Sequence, residues 1–440
     1  MPAASSRANR GDPPTGRGRY RWLVCGLLFF ATTVNYLDRQ ILALLKPALD
    51  GELGWTNQQF GQVVGAFHAA YAVGSFLFGW LIDRVGTKIG YAASIAAWSL
   101  SAAAHALVAS IGGFLGARVA LGLGEGGNFP AAIKTVALWF PPGERTRATT
   151  LFNSGSNVGA VLAPLFVPAL AAAWGWRPVF LAAGAIGLLW LLLWIPLYDV
   201  PERARRLTDA ERAHIRGRAG GQGRADSGRA IGWGQLLRHR QAWAFIAAKS
   251  LTDPIWWFLL VWLPDFFKKT RGLDVQASWP HLAAIYGLVT VLSLGGAGLT
   301  DTLIARGVPV GRARKASLLG FAACVSPIVL VTQAGNWGAV VLIGIAAAAH
   351  QAWSANLMTS ASDMFPAGAV ARVIALGTVA GSAGGIAFPI LTGRLLDGFQ
   401  ATGQAAVGYG ILFAIGASAY LVAFALHHAL APRFEPIVDL

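Results

Sequence analysis

An arginine and a glutamate, Arg118 and Glu125, stand seven residues apart inside the apolar stretch RVALGLGEGGNFPAAIK. Seven residues make about two helical turns, so both project from one helix face. A second apolar stretch holds adjacent opposite charges, Asp38 and Arg39, within NYLDRQ. On a helix these point about 100° apart and need not pair with each other. A charge at the centre of a membrane helix costs roughly 2.5–3.5 kcal/mol, so segments that retain such residues use them. Arginine offers a planar fork to a carboxylate, and a buried carboxylic acid can carry a proton. Asp38 can pair with a cation or carry a proton, and a structural network linking the two helices is the plainer use of the same charges. An opposite charge nearby favours the ionised form of an acid. Arg118 is therefore expected to hold Glu125 ionised until a bound anion competes for that arginine, so that binding and protonation promote each other.

Further polar residues recur at helical spacing. Lys249 and Asp253 stand at i, i+4 ahead of Pro254, Trp256 and Trp257. Lys249 either contacts an anion or neutralises Asp253. His350, Gln351, Trp353, Ser354 and Asn356 share another segment. Gln351, Ser354 and Asn356 are expected to bind hydroxyls with Trp353 as a flat wall, while His350 stays open between binding and packing. His68 and His105 read as structural. Asn153, Ser154, Ser156 and Asn157 surround Gly155 and Gly159, a GxxxG packing pair. Ser156 and Asn157 face either a cavity or a neighbouring helix. Gly377, Gly381, Gly384 and Gly385 with Pro389 suggest close packing, and Ser382 is a weak polar candidate.

These residues need a membrane scaffold to position them. Of 440 residues, 55% are hydrophobic and only 12% charged, well below soluble domains. The 54 glycines suit close helix packing. Apolar segments long enough to span a bilayer fall at 22–45, 57–81, 89–109, 112–139, 146–171 and 178–198, then at 241–264, 280–304, 314–333, 337–360, 370–393 and 405–428. Pro130 is expected to bend the fourth. A signal peptide is not expected, because the first run is too long for one and lacks a small-residue cleavage site.

The net charge of +15 sits mainly in short links between these segments, which points to the positive-inside rule and away from nucleic acid. Arginines before residue 22, Arg84 and Lys88, Arg145 and Arg147, and Arg306, Arg312, Arg314 and Lys315 all fall on one side, expected to be cytoplasmic with both termini. Lys268, Lys269 and Arg271 are the exception, on the expected outside. The chain divides into a tail 1–19 expected to be disordered, a six-helix half 20–198, a linker 199–240 containing the helical-looking LTDAERAHIRGRA and the Gly-rich GGQGRADSG, a second half 241–430, and a tail 431–440. Two similar halves suggest a parallel repeat with a midplane site between them.

A local echo supports the repeat. GWLIDRVGTKIG, from Gly79 to Gly90, follows the second segment, and GLTDTLIARGVPVGRARK, from Gly298 to Lys315, follows the eighth. Gly79, Asp83, Arg84, Gly86, Lys88 and, in the second copy, Asp301 are candidates for a gating network at the rim. The first echo resembles the loop signature of the major facilitator superfamily, departing at Thr87, where a basic residue is usual. NYLDRQ, GEGGNFPAAIK, LTDPIWWFLLVWLP and HQAWSANLMTSASDMFP resemble the anion:cation symporter family within it, which includes bacterial hexuronate and D-galactonate transporters and the sialins. The resemblance, from about residue 20 to 430, implies an all-α fold of twelve transmembrane helices in two six-helix pseudo-symmetric halves that rock to give alternating access. It also implies proton-coupled symport of a sugar acid in a bacterial inner membrane, protonation at Asp38 and Glu125, and a sugar-acid site lined by Tyr36, Arg39 and Tyr71.

Rival readings leave sequence marks that can be checked. Gly122, Gly124 and Gly127 match GxGxxG, but a dinucleotide fingerprint needs a preceding strand, and Gly122 with Gly126 reads as helix packing. No GxxxxGK phosphate loop, HExxH or zinc-type cysteine spacing occurs, and Cys25 and Cys324 read as structural. Neither catalysis nor a metal or other cofactor is expected. The expected partners are a sugar-acid or other organic anion, a proton and the lipid bilayer, with the protein monomeric. The rival substrate is an aromatic carboxylate. The rival of another class is a non-transporting sensor, which flux without a partner protein would exclude.

Overall fold

The computed structural model describes residues 19–217, 232–434 and 437, and all regular structure among them is helical. The tail before residue 19, the GGQGRADSG stretch and most of the chain beyond Phe434 lie outside the described residues. Nine helical stretches among the described residues are long and apolar enough to cross a membrane. One of them, Asn57–Leu107, has 51 residues. At 1.5 Å per residue that is about 75 Å of helix, more than twice a ~30 Å hydrocarbon core, so it crosses twice.

In the first half, α1 (Tyr20–Leu53) is followed by α2 (Asn57–Ala104), which contains the double crossing. Gly86 lies within α2 at φ 85°, ψ 165°, a conformation that only glycine adopts readily, so the chain reverses there without a loop. The fourth crossing is broken into α3 (Ile111–Glu125) and α4 (Asn128–Trp139), and α5 (Pro142–Trp174) and α6 (Trp176–Leu197) complete the half. The break falls one turn before Pro130, because a proline ring clashes with the carbonyl four residues back, here that of Gly126. The link between halves contains α7 (Asp209–Gly217) and the short α8 (Trp233–Leu236).

The second half runs through α9 (Arg240–Val261), α10 (Leu263–Arg271), α11 (Val275–Ala305), α12 (Val310–Val325), α13 (Asn336–Met364), α14 (Ala367–Ala401) and α15 (Ala405–Leu430). Here α9 and α10 together form one crossing and its amphipathic extension. With α1 and the α3–α4 pair added to the apolar stretches, and Asn57–Leu107 counted twice, the crossings number twelve.

The two halves meet most closely on the face opposite the termini. Lys46, fully buried, donates to Asp50 and Asn57 on its own side and, at 2.8 Å, to Asp265 across the junction. Tyr409 donates to the other oxygen of Asp265 at 2.5 Å, and Asn57 donates to Asp397 through both its backbone and its side chain. The basic exception to the charge rule belongs to this junction. Lys268 donates to the Pro47 carbonyl, Lys269 to Gln400, and Arg271 to the carbonyls of Val331, Thr332 and Ala334. Lys269 also lies 3.9 and 3.8 Å from Asp50 and Asp265, so these charges are held by carbonyls, an amide and two acids on the sparsely charged side.

Glycines allow this approach. A Cβ added at Gly61 would lie 2.2 Å from the Pro389 carbonyl oxygen on α14. Gly61→Ala is therefore expected to push the halves apart and to lower stability by about 1–3 kcal/mol, the usual cost of overpacking. Thermal unfolding of the purified protein checks this, and an unchanged transition would refute the close contact.

At the termini face, α7 is docked rather than free. Its buried Glu211 accepts from the backbone N–H groups of Tyr20 and Arg21, capping α1, and from the Arg21 guanidinium at 3.0 Å. Glu144, in the first turn of α5, accepts from Arg21 and pairs with His214. Burial alone would push the Glu144 carboxyl up, but the hydrogen bonds from His214 and Arg21 hold it below the usual carboxylate range.

Candidate functional site

α1 presents Tyr36, Arg39, Gln40 and Ala43 on one face at i, i+3, i+4 and i+7, and all four line a small cavity between the halves. His68 on α2, Arg118 on α3 and Trp257 on α9 complete its polar and aromatic lining. A second, smaller lobe shares Tyr36 and is lined by Ser156, Asn157, Trp256, Tyr286 and Gln351.

The charged groups meet beside the first lobe. Glu125 ends α3 just before the break, fully buried, and accepts from Arg39 Nε at 2.7 Å. The expected Arg118–Glu125 pairing is thus replaced by a pair between helices, because Arg39 reaches across from α1 while Arg118 lies two turns back on Glu125's own helix. Arg39 also lies over the rings of Tyr71, Tyr36 and Phe67 at 4.6, 4.9 and 5.3 Å. Arg118 is 3% exposed, yet its Nε and Nη2 have no hydrogen-bond partner in the structure, and neither do the two carboxylate oxygens of buried Asp38. The four groups interact electrostatically as one cluster. A buried guanidinium with two unused donors at a cavity wall is equipped to receive a carboxylate.

Close packing fixes the segment that carries Glu125. A Cβ at Gly122 or Gly126 would lie 2.5 or 2.4 Å from α2 backbone near Tyr71, and at Gly124 2.6 Å from the Trp98 nitrogen. The GxGxxG spacing is therefore a helix-packing surface against both arms of α2. Ser94 donates to the Gly124 carbonyl at 2.8 Å and Tyr91 to Asn128 at 2.6 Å, holding the two sides of the break.

Several residues expected at the site lie elsewhere. Trp353 is fully buried against Tyr420 in the second half rather than forming a cavity wall, since its segment turns that face to the core. Asn356 accepts from Arg314 at 3.1 Å and donates to the Arg314 carbonyl, so its amide is engaged with the Arg314–Asp363 pair. Ser354, one position from Trp353, is half-buried and lines neither lobe. Lys249 pairs with Asp253 at 2.7 Å, the self-neutralising alternative, and lines neither lobe.

His350 stacks on Trp256 at 5.0 Å and bonds to Tyr420, which makes it a support for the second lobe's wall. His68, read as structural, instead lines the first lobe against Trp257 at 4.4 Å. Gln40 and Tyr286, joined at 3.0 Å across the halves, were not singled out. The i, i+4 step from Tyr36 was the signal for Gln40.

At the rim, Asp83 pairs with Lys134 at 2.7 Å and Lys88 with Asp199 at 3.1 Å, while Arg84 lies over Trp80. Thr87, in place of a basic residue, shares a hydrogen bond with Tyr198 at 2.5 Å. A Cβ at Gly79 would meet nothing within 4 Å, and Asp301 is exposed. The two cysteines are unpaired, Cys25 buried and Cys324 exposed.

Residues 28–389 match the Major Facilitator Superfamily. The chain is 32% identical over 403 residues to the hexuronate transporter of Escherichia coli, covering 90% of each chain. It is 34% identical over 281 residues to the galacturonate transporter of Dickeya chrysanthemi, covering 63% of this chain and 80% of that one. Among solved structures it is similar to a bacterial homolog to the human lysosomal transporter Spinster, in an inward-facing and occupied conformation. The TM-score is 0.75 at 19% identity, over 95% of this chain and 98% of that one, a likeness of fold alone. Twelve crossings around a charged cavity between two halves and a family match over most of the length lead to one conclusion: the chain belongs to the Major Facilitator Superfamily and is a multi-pass membrane transport protein, not an enzyme.

Proposed function

We propose that the protein carries a sugar-acid anion across the membrane together with a proton, by alternating access of the two halves. The observation that supports this most is Arg118, buried at the cavity with two unused donors beside the Arg39–Glu125 pair. The similarity to hexuronate and galacturonate transporters supports the substrate class. Arg118 and Arg39 receive the carboxylate, and Asp38 and Glu125 exchange the proton. Tyr36, Ser156 and Gln351 shape the hydroxyl side, and Tyr71, expected there but lining neither lobe, supports Arg39 with its ring.

Charge counting gives the coupling. Two arginines and two ionised acids sum to zero, and a carboxylate added to that buried cluster leaves it one charge negative. Uptake of one proton restores neutrality, so substrate and proton bind more favourably together than apart. The termini lie on the cytoplasmic side of a bacterial inner membrane in this reading, in line with the arginine-rich links, and the protein acts as a monomer. The closure at Lys46, Asp265 and Asn57 then shuts the outer face, and the halves rock about the site when it opens.

The test is uptake of labelled glucuronate, galacturonate and galactonate into liposomes containing the purified protein, with an inward proton gradient and no sodium. Accumulation that collapses with a protonophore is expected. No uptake of any sugar acid would remove the substrate reading. The second reading, an aromatic carboxylate, draws on the apolar wall of Phe60, Val64, Phe67 and Leu260 in the first lobe, and such acids form the next panel.

A further inference from the structure

The two lobes differ in chemistry. The second has amide and hydroxyl groups from both halves, Ser156, Asn157, Tyr286 and Gln351. The first is mostly apolar. The rings of His68 and Trp257 meet there at 4.4 Å with their planes 57° apart, and Phe60, Val64, Phe67 and Leu260 stand around them. Its polar groups are confined to one end, where the arginines lie, and to the Tyr36–Gln40 rim. The Gln40 amide already donates to Tyr286.

Ring and open-chain sugar acids fit such a space differently. A pyranose carries its equatorial hydroxyls around the rim and mainly C–H groups on its two faces, which pack against aromatic and aliphatic walls. An open-chain aldonate carries hydroxyls on all sides of a flexible chain. In this lobe some of them would be buried against carbon with no partner, and the chain would also lose rotamer freedom on binding.

We propose that the first lobe is a platform for a closed pyranose ring, with Trp257 as its central residue, so that the protein selects hexuronates in ring form over open-chain aldonates. The proposal rests on the sugar-acid reading above and narrows it. The carboxylate anchors at Arg118, one face of the ring lies on Trp257 with His68 at its edge, and the ring-edge hydroxyls reach Tyr36 and Gln40. Trp257 acts here as a specificity-determining residue, separate from the charged cluster that both substrate types would share.

The experiment is calorimetric titration of the purified full-length protein with glucuronate, with the two anomers of methyl glucuronoside, whose ring cannot open, and with gluconate and galactonate. Glucuronate and at least one anomer are expected to bind within a few-fold of each other, and each aldonate at least about tenfold more weakly, the effect of one unpaired buried hydroxyl. Trp257→Leu is expected to weaken the ring acids by about tenfold or more, the loss of one aromatic platform, and to weaken the aldonates clearly less. Trp257→Phe, which keeps a flat ring, is expected to retain most of the preference and serves if the leucine variant does not fold. Aldonates binding as tightly as glucuronate, or a tryptophan substitution weakening both types equally, would overturn the ring platform while leaving the sugar-acid reading standing. Failure of every sugar acid to bind would overturn both.

Discussion

Replacing Arg118 with glutamine is expected to abolish uptake, by at least about a hundredfold, without lowering thermal stability. The two effects separate because of what surrounds the side chain. Arg118 is buried, and its Nε and Nη2 donate to no group in the protein. A buried cation with unused donors destabilises the fold until a ligand uses them. Removing one partner of a buried, hydrogen-bonded charge pair costs about 2–5 kcal/mol, or some thirtyfold to several thousandfold in affinity. Glutamine removes the charge and the fork together, and the relief of the cation's burial offsets the loss of its attraction to Asp38 and Glu125. Arg118→Lys is expected to recover little, because an ammonium group cannot present two parallel donors to a carboxylate. Substrate titration and thermal unfolding on the same preparations check both halves of the prediction. Near-normal uptake by Arg118→Gln would end the assignment of this residue to the anion. Lost uptake accompanied by a large fall in stability would make Arg118 a structural residue instead.

The second large effect concerns coupling. Glu125→Gln is expected to lose proton-driven accumulation and to keep exchange of labelled for unlabelled substrate across the membrane. The glutamine carbonyl still accepts from Arg39 Nε, so the junction between α1 and α3 is preserved, but the group no longer takes up a proton. The cluster is then one charge more positive and binds an anion at least as well as before. Glu125→Ala should behave differently. It strands Arg39, which is nearly buried and pairs with Glu125 at 2.7 Å, and is expected to destabilise the protein by about 3–5 kcal/mol. Counterflow and gradient-driven uptake, measured side by side, distinguish these outcomes. Accumulation surviving in Glu125→Gln would exclude Glu125 as a required proton carrier.

Sequence reasoning went furthest where the physics is local or set by the bilayer. The helical segments could be read because every crossing must satisfy its own backbone in hydrocarbon. The structure extends α1 to Leu53, past the apolar run, because Lys46 and Asp50 are paired there. Intramembrane charges at Asp38, Arg39, Arg118 and Glu125 stood out for the same reason. The α7 helix in the linker was visible in the helical-looking LTDAERAHIRGRA, and Pro130 announced a bend.

The pairing of those charges depends on how helices distant in sequence are rotated against one another. Two turns of spacing placed Arg118 and Glu125 on one face, but glycines hold α3 close against α2, and the long Arg39 side chain reaches Glu125 from α1, which packs chiefly on α5. Rotation likewise turned Trp353 and Asn356 into the second half and brought His68 and Trp257 together, a contact between residues 189 apart that no local pattern encodes. The basic residues of α10 broke the charge rule for a similar reason, since their partners are carbonyls and acids from other helices. Spacing along a helix is a property of the chain, and the sequence carries it. Which face meets which neighbour is decided by packing summed over the whole bundle, and so only the assembled structure could assign it.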